Sequence, residues 1–308
     1  SLENDLRIAK EIIAVLLLSP MVALAELHVL IVEGLPGEET YQTQFDQQVS
    51  SVHSAVKSVA DDERIHVLRT AASDRDSVLA RLAAFESELS ADDQLAIFLI
   101  GHGSFDEYEY KFNIAGPDIT GEDLASALDR IDAVNVLVVN TSSSSGATAD
   151  LLAGDNRIVV LATRSGAERH ATRFGGYFAA ALSDSAADIN KNELVTVREA
   201  FDFARRQVDD YFERNDQLAT EHAVLDGERA DRFAIARLGG ARPAVVDTAL
   251  AGLIAERDTL SSEIESLRLA RDDMDGTEYQ SQLLQKMLEL ARVEDAIEIR
   301  EQELGTND

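Results

Sequence analysis

The feature that most constrains the fold is a regular alternation of short apolar runs with helical patterns, which extends from Leu27 to about Gly240. Strands that are apolar throughout, rather than at alternate positions, are typical of parallel sheets covered on both faces. The sequence therefore predicts an α/β fold with a mostly parallel central sheet between two helical layers. The predicted strands are Leu27–Val32, Arg64–Leu68, Gln94–Ile100, Val134–Val139 and Arg157–Ala162.

Helical patterns fill the stretches between these strands. An apolar face recurs at helical spacing, as in Val78, Leu82 and Phe85. Thr120 has the position of a helix N-cap, because acidic residues follow it in the first turn. The predicted helices are Phe45–Val59, Asp74–Leu89, one that starts after Thr120, Gly175–Leu182 and Thr196–Tyr211.

Two of the predicted strand ends carry residues that can do chemistry. The third strand runs into Gly101-His102-Gly103, and the fourth runs into Asn140 and the serine cluster Ser142–Ser145. Functional sites of parallel sheets lie at the carboxyl ends of the strands, so His102 and the serines are predicted to meet at one edge. A histidine beside a hydroxyl, with backbone N–H groups nearby, is the minimum for acyl transfer. Taken singly, each segment is equally typical of a polar turn or a helix cap.

The order of these segments resembles the legumain family of peptidases and its caspase relatives. In that family an apolar strand ends in His-Gly, and the next main strand ends in a segment such as Glu-Ala-Cys-Glu-Ser-Gly. Aligning this segment on Ser145-Gly146 places the nucleophile at Ser143. The resemblance continues in Leu161–Arg169, in Thr172–Leu182 and in Glu199–Phe201, and it covers about Leu27 to Asp226.

The resemblance implies a caspase-like αβα sandwich over residues 26–240 and a peptide or protein substrate. It also implies His102 as general acid/base, Ser143 as nucleophile, and the N–H groups of Gly103 and Ser143 as oxyanion donors. Arg164 and Ser165 fall in the matched stretch and are expected to bind substrate, although Arg164 can equally pair with one of the many carboxylates. The arginine by which legumains recognise asparagine has no counterpart in residues 41–45.

The serine at position 143 departs from the family pattern. A thiol has a pKa of about 8.5 and readily gives a thiolate, whereas a serine hydroxyl needs a well-oriented base. No third residue that would orient His102 is evident, although Asp106 and Glu107 are close in sequence. The chain is therefore expected to be weak or inactive as a peptidase, whether as a natural pseudo-peptidase, a serine-adapted enzyme or an inactivated cysteine peptidase. The alternative is a peptide-binding or scaffold protein that does not cut.

A second candidate site lies in the predicted loop before the last helix of this domain. Its oxygen-bearing residues have the spacing of a calcium loop, and they are Asp188, Asn190, Asn192, Leu194, Thr196 and Glu199. Glu193 stands where such loops have glycine, which is unfavourable in a left-handed conformation. The alternative is a polar loop in which Thr196 caps the following helix. No other cofactor is predicted.

The chain changes character beyond Pro243. Leucines and isoleucines recur at three- and four-residue spacings in two stretches separated by turn residues around Asp272–Gly276. Residues 245–305 are therefore predicted to form an antiparallel helical hairpin of coiled-coil type, packed on its own domain or on a second copy of the chain.

The start of the chain and its charge bear on location and partners. An apolar run, Ile12–Leu18, precedes Ala23-Leu24-Ala25, so residues 1–25 resemble a signal peptide and predict an exported protein, periplasmic or secreted, that is free of the membrane after cleavage. The 28 basic and 57 acidic residues give a net charge of −29, which argues against nucleic-acid binding. The chain has no cysteine, which excludes disulfides and thiolate catalysis.

Overall fold

A six-stranded, mostly parallel sheet forms the centre of the molecule. The computed structural model describes residues 26–90, 92–131, 135–238, 248–269 and 275–305. From one edge to the other the strands are β2 (Ile65–Leu68), β1 (Leu27–Glu33), β3 (Gln94–Ile100), β7 (Val136–Asn140), β8 (Arg157–Leu161) and β10 (Val224–Asp226). The first five run parallel, as predicted, and β10 is antiparallel to β8.

Helices cover both faces of this sheet. They are α1 (Glu39–Val56), α2 (Arg75–Glu88), α3 (Gly121–Leu128), α4 (Ala149–Leu152), α5 (Phe174–Ala181) and α6 (Val197–Arg214). Strand β1 is buried throughout, with Val29 and Ile31 in a core shared with α1, α5 and α6, and Leu30 and Val32 in a core shared with α2 and α3. Both cores are apolar because each strand face meets helices, which explains the continuous hydrophobic runs.

The helix boundaries follow from caps and apolar stripes. Thr120 and Thr196 each form a capping box, with Asp123 and Glu199 respectively, at the starts of α3 and α6. The predicted cap at Thr120 is therefore confirmed, and Thr196 caps its helix as in the alternative to the calcium loop. Helix α1 begins six residues before the predicted Phe45, because its first turns are polar and carry no stripe that periodicity could detect.

Two small antiparallel sheets complete the domain and were not predicted. Strands β4 (Gly103–Phe105), β5 (Tyr110–Phe112) and β6 (Ile119–Thr120) form one of them, directly after β3. Strands β9 (Leu194–Thr196) and β11 (Ala234–Arg237) form the other. The first sheet packs Tyr110 and Phe112 into the core beside the carboxyl edge of β3 and β7.

Two long helices follow, α7 (Thr248–Leu269) and α8 (Gly276–Gly305). Leu250 and Leu260 of α7 form a small apolar cluster with Val293 and Ile297 of α8, and Lys286 pairs with Glu263. The connecting turn lies outside the described residues, as does the predicted signal peptide of residues 1–25. Across the ranges that the structure describes, no helix is long and apolar enough to span a bilayer.

Candidate functional site

The carboxyl edge of β3 and β7 brings the two predicted segments together. The strands are adjacent and parallel, with Leu99 of β3 opposite Asn140 of β7. His102 and Ser143 therefore leave the sheet at the same edge, and both line one small cavity. The juxtaposition expected from the order of the strands is present in the structure.

His102 is held in one orientation by aromatic rings and by a backbone carbonyl. Its ring centroid lies 4.5 Å from that of Tyr41 and 5.0 Å from that of Phe45, both on α1 and both edge-on. Nε2 of His102 lies 3.2 Å from the carbonyl oxygen of Pro36. Because a carbonyl oxygen only accepts hydrogen bonds, Nε2 carries the proton and Nδ1 is left as an acceptor. In this tautomer only Nδ1 of His102 can act as a base.

The orienting partner of His102 is thus Pro36, which the sequence did not reveal. The carboxylate of Asp106 instead accepts hydrogen bonds from the N–H groups of Tyr108 and Glu109 and closes its own turn. These bonds also lower the pKa of Asp106. Asp106, considered from its position in the sequence, is therefore not the partner of His102.

Ser143 is buried, and its hydroxyl is occupied by the backbone of Gly103. Oγ of Ser143 donates to the carbonyl oxygen of Gly103 at 2.8 Å and accepts a longer bond, 3.4 Å, from the N–H of Gly103. The hydroxyl proton therefore points to a carbonyl and not to His102. The backbone N–H of Ser143 has no acceptor in the described part of the chain, which leaves it available as an oxyanion donor.

Two glycines are required where the segments meet. A Cβ on Gly103 would lie 2.5 Å from Oγ of Ser142 and 2.5 Å from the carbonyl oxygen of Ser143. A Cβ on Gly146 would lie 2.1 Å from the backbone nitrogen of Ser165. The glycines of the His-Gly and Ser-Gly pairs are therefore explained by close approach of the backbone.

A buried polar network packs against the serine segment Ser142–Ser145 that follows β7. The hydroxyl of Tyr110 lies 2.6 Å from Oγ of Ser142 and accepts from Nδ2 of Asn140 at 3.0 Å. Oγ of Ser142 also donates to Oδ1 of Asn140 at 2.8 Å. Burial raises the pKa of Tyr110 to about 12, so its hydroxyl remains protonated.

The segment after β8 holds the other side of the same loop. The N–H of Ser144 donates to the carbonyl oxygen of Glu168 at 2.8 Å, and the N–H of Gly146 donates to Oγ1 of Thr163 at 2.8 Å. Ser144 has a left-handed conformation, φ 58°, and its hydroxyl is buried without a partner in the described chain. The bond to Glu168 helps to maintain this uncommon conformation.

The predicted substrate-binding residues lie outside the lining of the cavity around Ser143. Arg164 pairs with Glu168, whose carboxylate also accepts from the N–H and Nδ1 of His222. The backbone of Ser165 packs on Gly146. Arg164 thus has the carboxylate partner that the sequence had offered as the alternative, and its role toward a substrate stays a prediction.

The neighbouring Glu221 has a structural role that the sequence did not indicate. It is buried, and its carboxylate accepts hydrogen bonds from the N–H groups of Arg173 and Phe174, at the start of α5. A carboxylate at a helix N-terminus satisfies free N–H groups and complements the helix dipole. Burial raises the pKa of Glu221, while these bonds oppose the shift.

In the loop with calcium-like spacing, the side-chain oxygens accept hydrogen bonds from N–H groups of the loop's own backbone. Asp188 accepts from the N–H groups of Asn192 and Glu193, and Asn190 also accepts from Asn192. Asn192 accepts from the N–H of Leu194, and Glu199 accepts from the N–H groups of Ile189 and Thr196. No three His, Cys, Asp or Glu side chains converge as a metal-binding group in the described ranges. The calcium site predicted from the spacing is not tested by the structure, and the observed bonds favour the alternative of a polar loop in which Thr196 caps the helix.

A second, larger cavity lies beside the one with His102 and Ser143, between α1 and α5. The two cavities share five lining residues, which are Tyr41, Gln44, Gln48, Ala171 and Thr172. The larger one, the outer cleft, has a volume of about 550 Å³, within the range of ligand pockets. The glutamines of α1 were not singled out by the sequence, because polar residues in the first turns of a helix usually face solvent.

Comparison with known proteins gives likenesses to solved structures but no family. No protein-family model matches the chain. No curated protein matches it either. The crystal structure of the Drosophila initiator caspase Dronc is similar with a TM-score of 0.43 and 9% identity, over 70% of this chain and 85% of that chain. A likeness of this strength assigns neither a family nor a function.

Proposed function

We propose that residues 26–240 form a peptidase-like domain of the caspase and legumain type, which binds a peptide or protein segment in the cleft above His102 and Ser143. We further propose that its hydrolytic activity is weak or absent. The observation that carries this second statement is the hydrogen bond from the Ser143 hydroxyl to the carbonyl oxygen of Gly103. A hydroxyl that donates to a carbonyl is not being deprotonated by a base.

The remaining geometry supports a site of this peptidase type. Nδ1 of His102 is free to accept a proton because Pro36 fixes the proton on Nε2. The N–H of Ser143 can stabilise an oxyanion, and the N–H of Gly103 can do so once the hydroxyl moves away. A thiol in place of the hydroxyl would need less help from the base, because its pKa lies near 8.5 and a neighbouring histidine lowers it.

A second candidate function is peptide binding or scaffolding without cleavage. The occupied hydroxyl of Ser143 favours it, together with the volume of the outer cleft, which exceeds what a single side chain needs. Helices α7 and α8 would then supply a surface for a second copy or another partner. The two candidates differ in whether the site cleaves a peptide once a thiol replaces the Ser143 hydroxyl.

Hydrolysis of a mixed peptide library by the full chain and by two variants distinguishes them. We expect no measurable cleavage by the native chain or by Ser143→Ala, and measurable cleavage by Ser143→Cys. Cleavage by the native chain that disappears in Ser143→Ala would show a serine-adapted peptidase. If all three proteins are silent but bind peptides, the scaffold function holds and the peptidase assignment is wrong.

A further inference from the structure

A buried carboxyl group lies at the carboxyl edge of the sheet, on the strand next to the one that leads to His102. Glu33 is the last residue of β1 and is completely buried. Its Oε1 accepts a hydrogen bond from Nε2 of Gln42 on α1 at 3.2 Å, whereas Oε2 has no partner in the described chain. Burial, followed by the nearby carboxylate of Asp46, raises the pKa of Glu33. A buried carboxyl oxygen without a partner costs folding free energy, so stability does not explain why a carboxyl group stands here.

The bond to Gln42 closes the base of the turn that orients His102. This turn connects β1 to α1, and the carbonyl oxygen of Pro36 within it accepts from Nε2 of His102 and from the N–H of Glu38. Tyr41, whose ring packs edge-on against His102, directly precedes Gln42. The carbonyl and this ring thus lie between the two ends of the chain that the bond joins.

Gln42 is itself held in place by neighbouring side chains. Its Nε2 also donates to Oδ2 of Asp46 at 3.1 Å, and Asp46 pairs with Arg69, the residue after β2. A row of side-chain contacts therefore runs from the end of β1 through α1 to the end of β2. In the described part of the chain, no other side-chain hydrogen bond joins β1 to α1.

We propose that Glu33 is a positioning residue of the site, which holds, through Gln42, the turn that fixes the orientation of His102 toward position 143. This inference rests on the proposed function, since it takes His102 as the acid/base partner of that position. The side chain of Glu33 bonds to neither residue within the described chain, so it acts through the turn. Without the bond, α1 and the end of β1 can separate, and His102 loses its fixed direction.

A thiol at position 143 reports on the orientation of His102. The chain has no cysteine, so alkylation of full-length Ser143→Cys by iodoacetamide at a series of pH values gives the pKa of a single thiol. The measurement is repeated with Glu33→Leu or Glu33→Gln added. Leucine removes the acceptor of the bond from Gln42, whereas glutamine keeps a carbonyl oxygen that can accept it.

Asp93→Leu is the matched control. Asp93 is also buried, but its carboxylate accepts hydrogen bonds from backbone N–H groups at the opposite, amino edge of the sheet. Urea midpoints record the stability of every variant, so that a loss of stability and a change in the thiol are measured separately. Gln42→Leu breaks the same bond from the half-buried partner and decides the question if Glu33→Leu does not fold.

We expect Glu33→Leu to raise the thiol pKa by about one, which lowers the thiolate fraction at neutral pH about tenfold, because an opposite charge close by shifts a pKa by about 1–3. The loss of a negative charge would by itself lower the thiol pKa, so a rise reports the loss of orientation. Glu33→Gln should not raise the thiol pKa, and Asp93→Leu should leave it unchanged whatever it does to the urea midpoint.

An unchanged or lower thiol pKa in folded Glu33→Leu would overturn the positioning role. A rise of the same size in Asp93→Leu or in Glu33→Gln would overturn it as well, since neither variant removes an acceptor for Gln42. If the thiol pKa of Ser143→Cys does not change when His102→Ala is added, the proposed function itself fails, and this inference fails with it.

Discussion

Replacing Tyr110 by phenylalanine tests whether the buried network beneath Ser143 stabilises the domain. Tyr110 is 2% exposed, and its ring packs in the core with Phe112 and Ile119. Phenylalanine keeps that ring and removes only the hydroxyl. The change therefore isolates the hydrogen bonds of the hydroxyl to Ser142 and Asn140.

The expected loss of stability depends on which hydrogen-bonding groups Tyr110→Phe leaves without a partner. Oγ of Ser142 keeps a partner in Oδ1 of Asn140, 2.8 Å away. Nδ2 of Asn140 loses the acceptor it has in Tyr110, and Asn140 is fully buried. A buried donor without an acceptor costs about 1–3 kcal/mol, and we expect the free energy of unfolding of Tyr110→Phe to fall by that amount.

Urea unfolding followed by circular dichroism measures the change. The urea concentration at the midpoint should fall, while the slope of the unfolding free energy against urea concentration stays the same. Removing one hydroxyl hardly changes the surface that unfolding exposes. Tyr108→Phe is the matched control: Tyr108 is 95% exposed, and its substitution should change stability by no more than about 0.5 kcal/mol. Equal midpoints for Tyr110→Phe and Tyr108→Phe would refute the reasoning and show that the network contributes nothing to stability.

Two further predictions concern other buried groups. His28 is buried with an Nδ1 that has no partner in the described chain, and burial lowers its pKa below 6.5 even though Asp93 opposes the shift. The unfolded chain therefore binds a proton at this histidine more readily than the folded protein does. The stability that His28 contributes is accordingly present above pH 6.5 and is lost as the pH falls through the lower folded pKa. Urea midpoints on either side of pH 6.5 should therefore fall more steeply toward acid in the native chain than in His28→Gln, and parallel slopes would contradict this. For the loop Asp188–Glu199, whose oxygens bind its own amides, we expect Ca²⁺ to leave the thermal midpoint of metal-free protein unchanged; a rise with Ca²⁺ that is absent in Glu199→Gln would show instead that the loop is a calcium site.

The sequence predicted the central sheet well because its signal is strong. Gln94–Ile100 was predicted with the observed boundaries, and the other four parallel strands differ by one or two residues. Continuous burial explains this success, since every position of β1 and all but the first of β3 are buried, and most of these positions are apolar. Strands β4 to β6 were missed because they are two or three residues long and carry no period that could be recognised.

The sequence could predict the parts of the candidate site that are side chains, but not the parts that are backbone groups. His102 and the serine cluster were identified from the ends of two strands, and the family resemblance then selected Ser143. His102 and Ser143 line one cavity. The carbonyl of Pro36 and the occupied backbone of Gly103 could not be found in this way, since every residue has a carbonyl and only the fold decides which one meets a side chain. The stacking of Arg173 on Tyr211 could not be found in this way either, because it depends on how α5 packs on α6.

The central claim is that His102 acts on the side chain at position 143 as its acid/base partner. A thiol at that position tests this claim most directly. The chain has no cysteine, so Ser143→Cys carries a single thiol whose alkylation by iodoacetamide can be followed as a function of pH. We predict a thiol pKa below the ordinary value of about 8.5, and a return to that value or above it when His102→Ala is added. The same thiol pKa with and without His102 would contradict the claim and would show that the two residues only share a cavity.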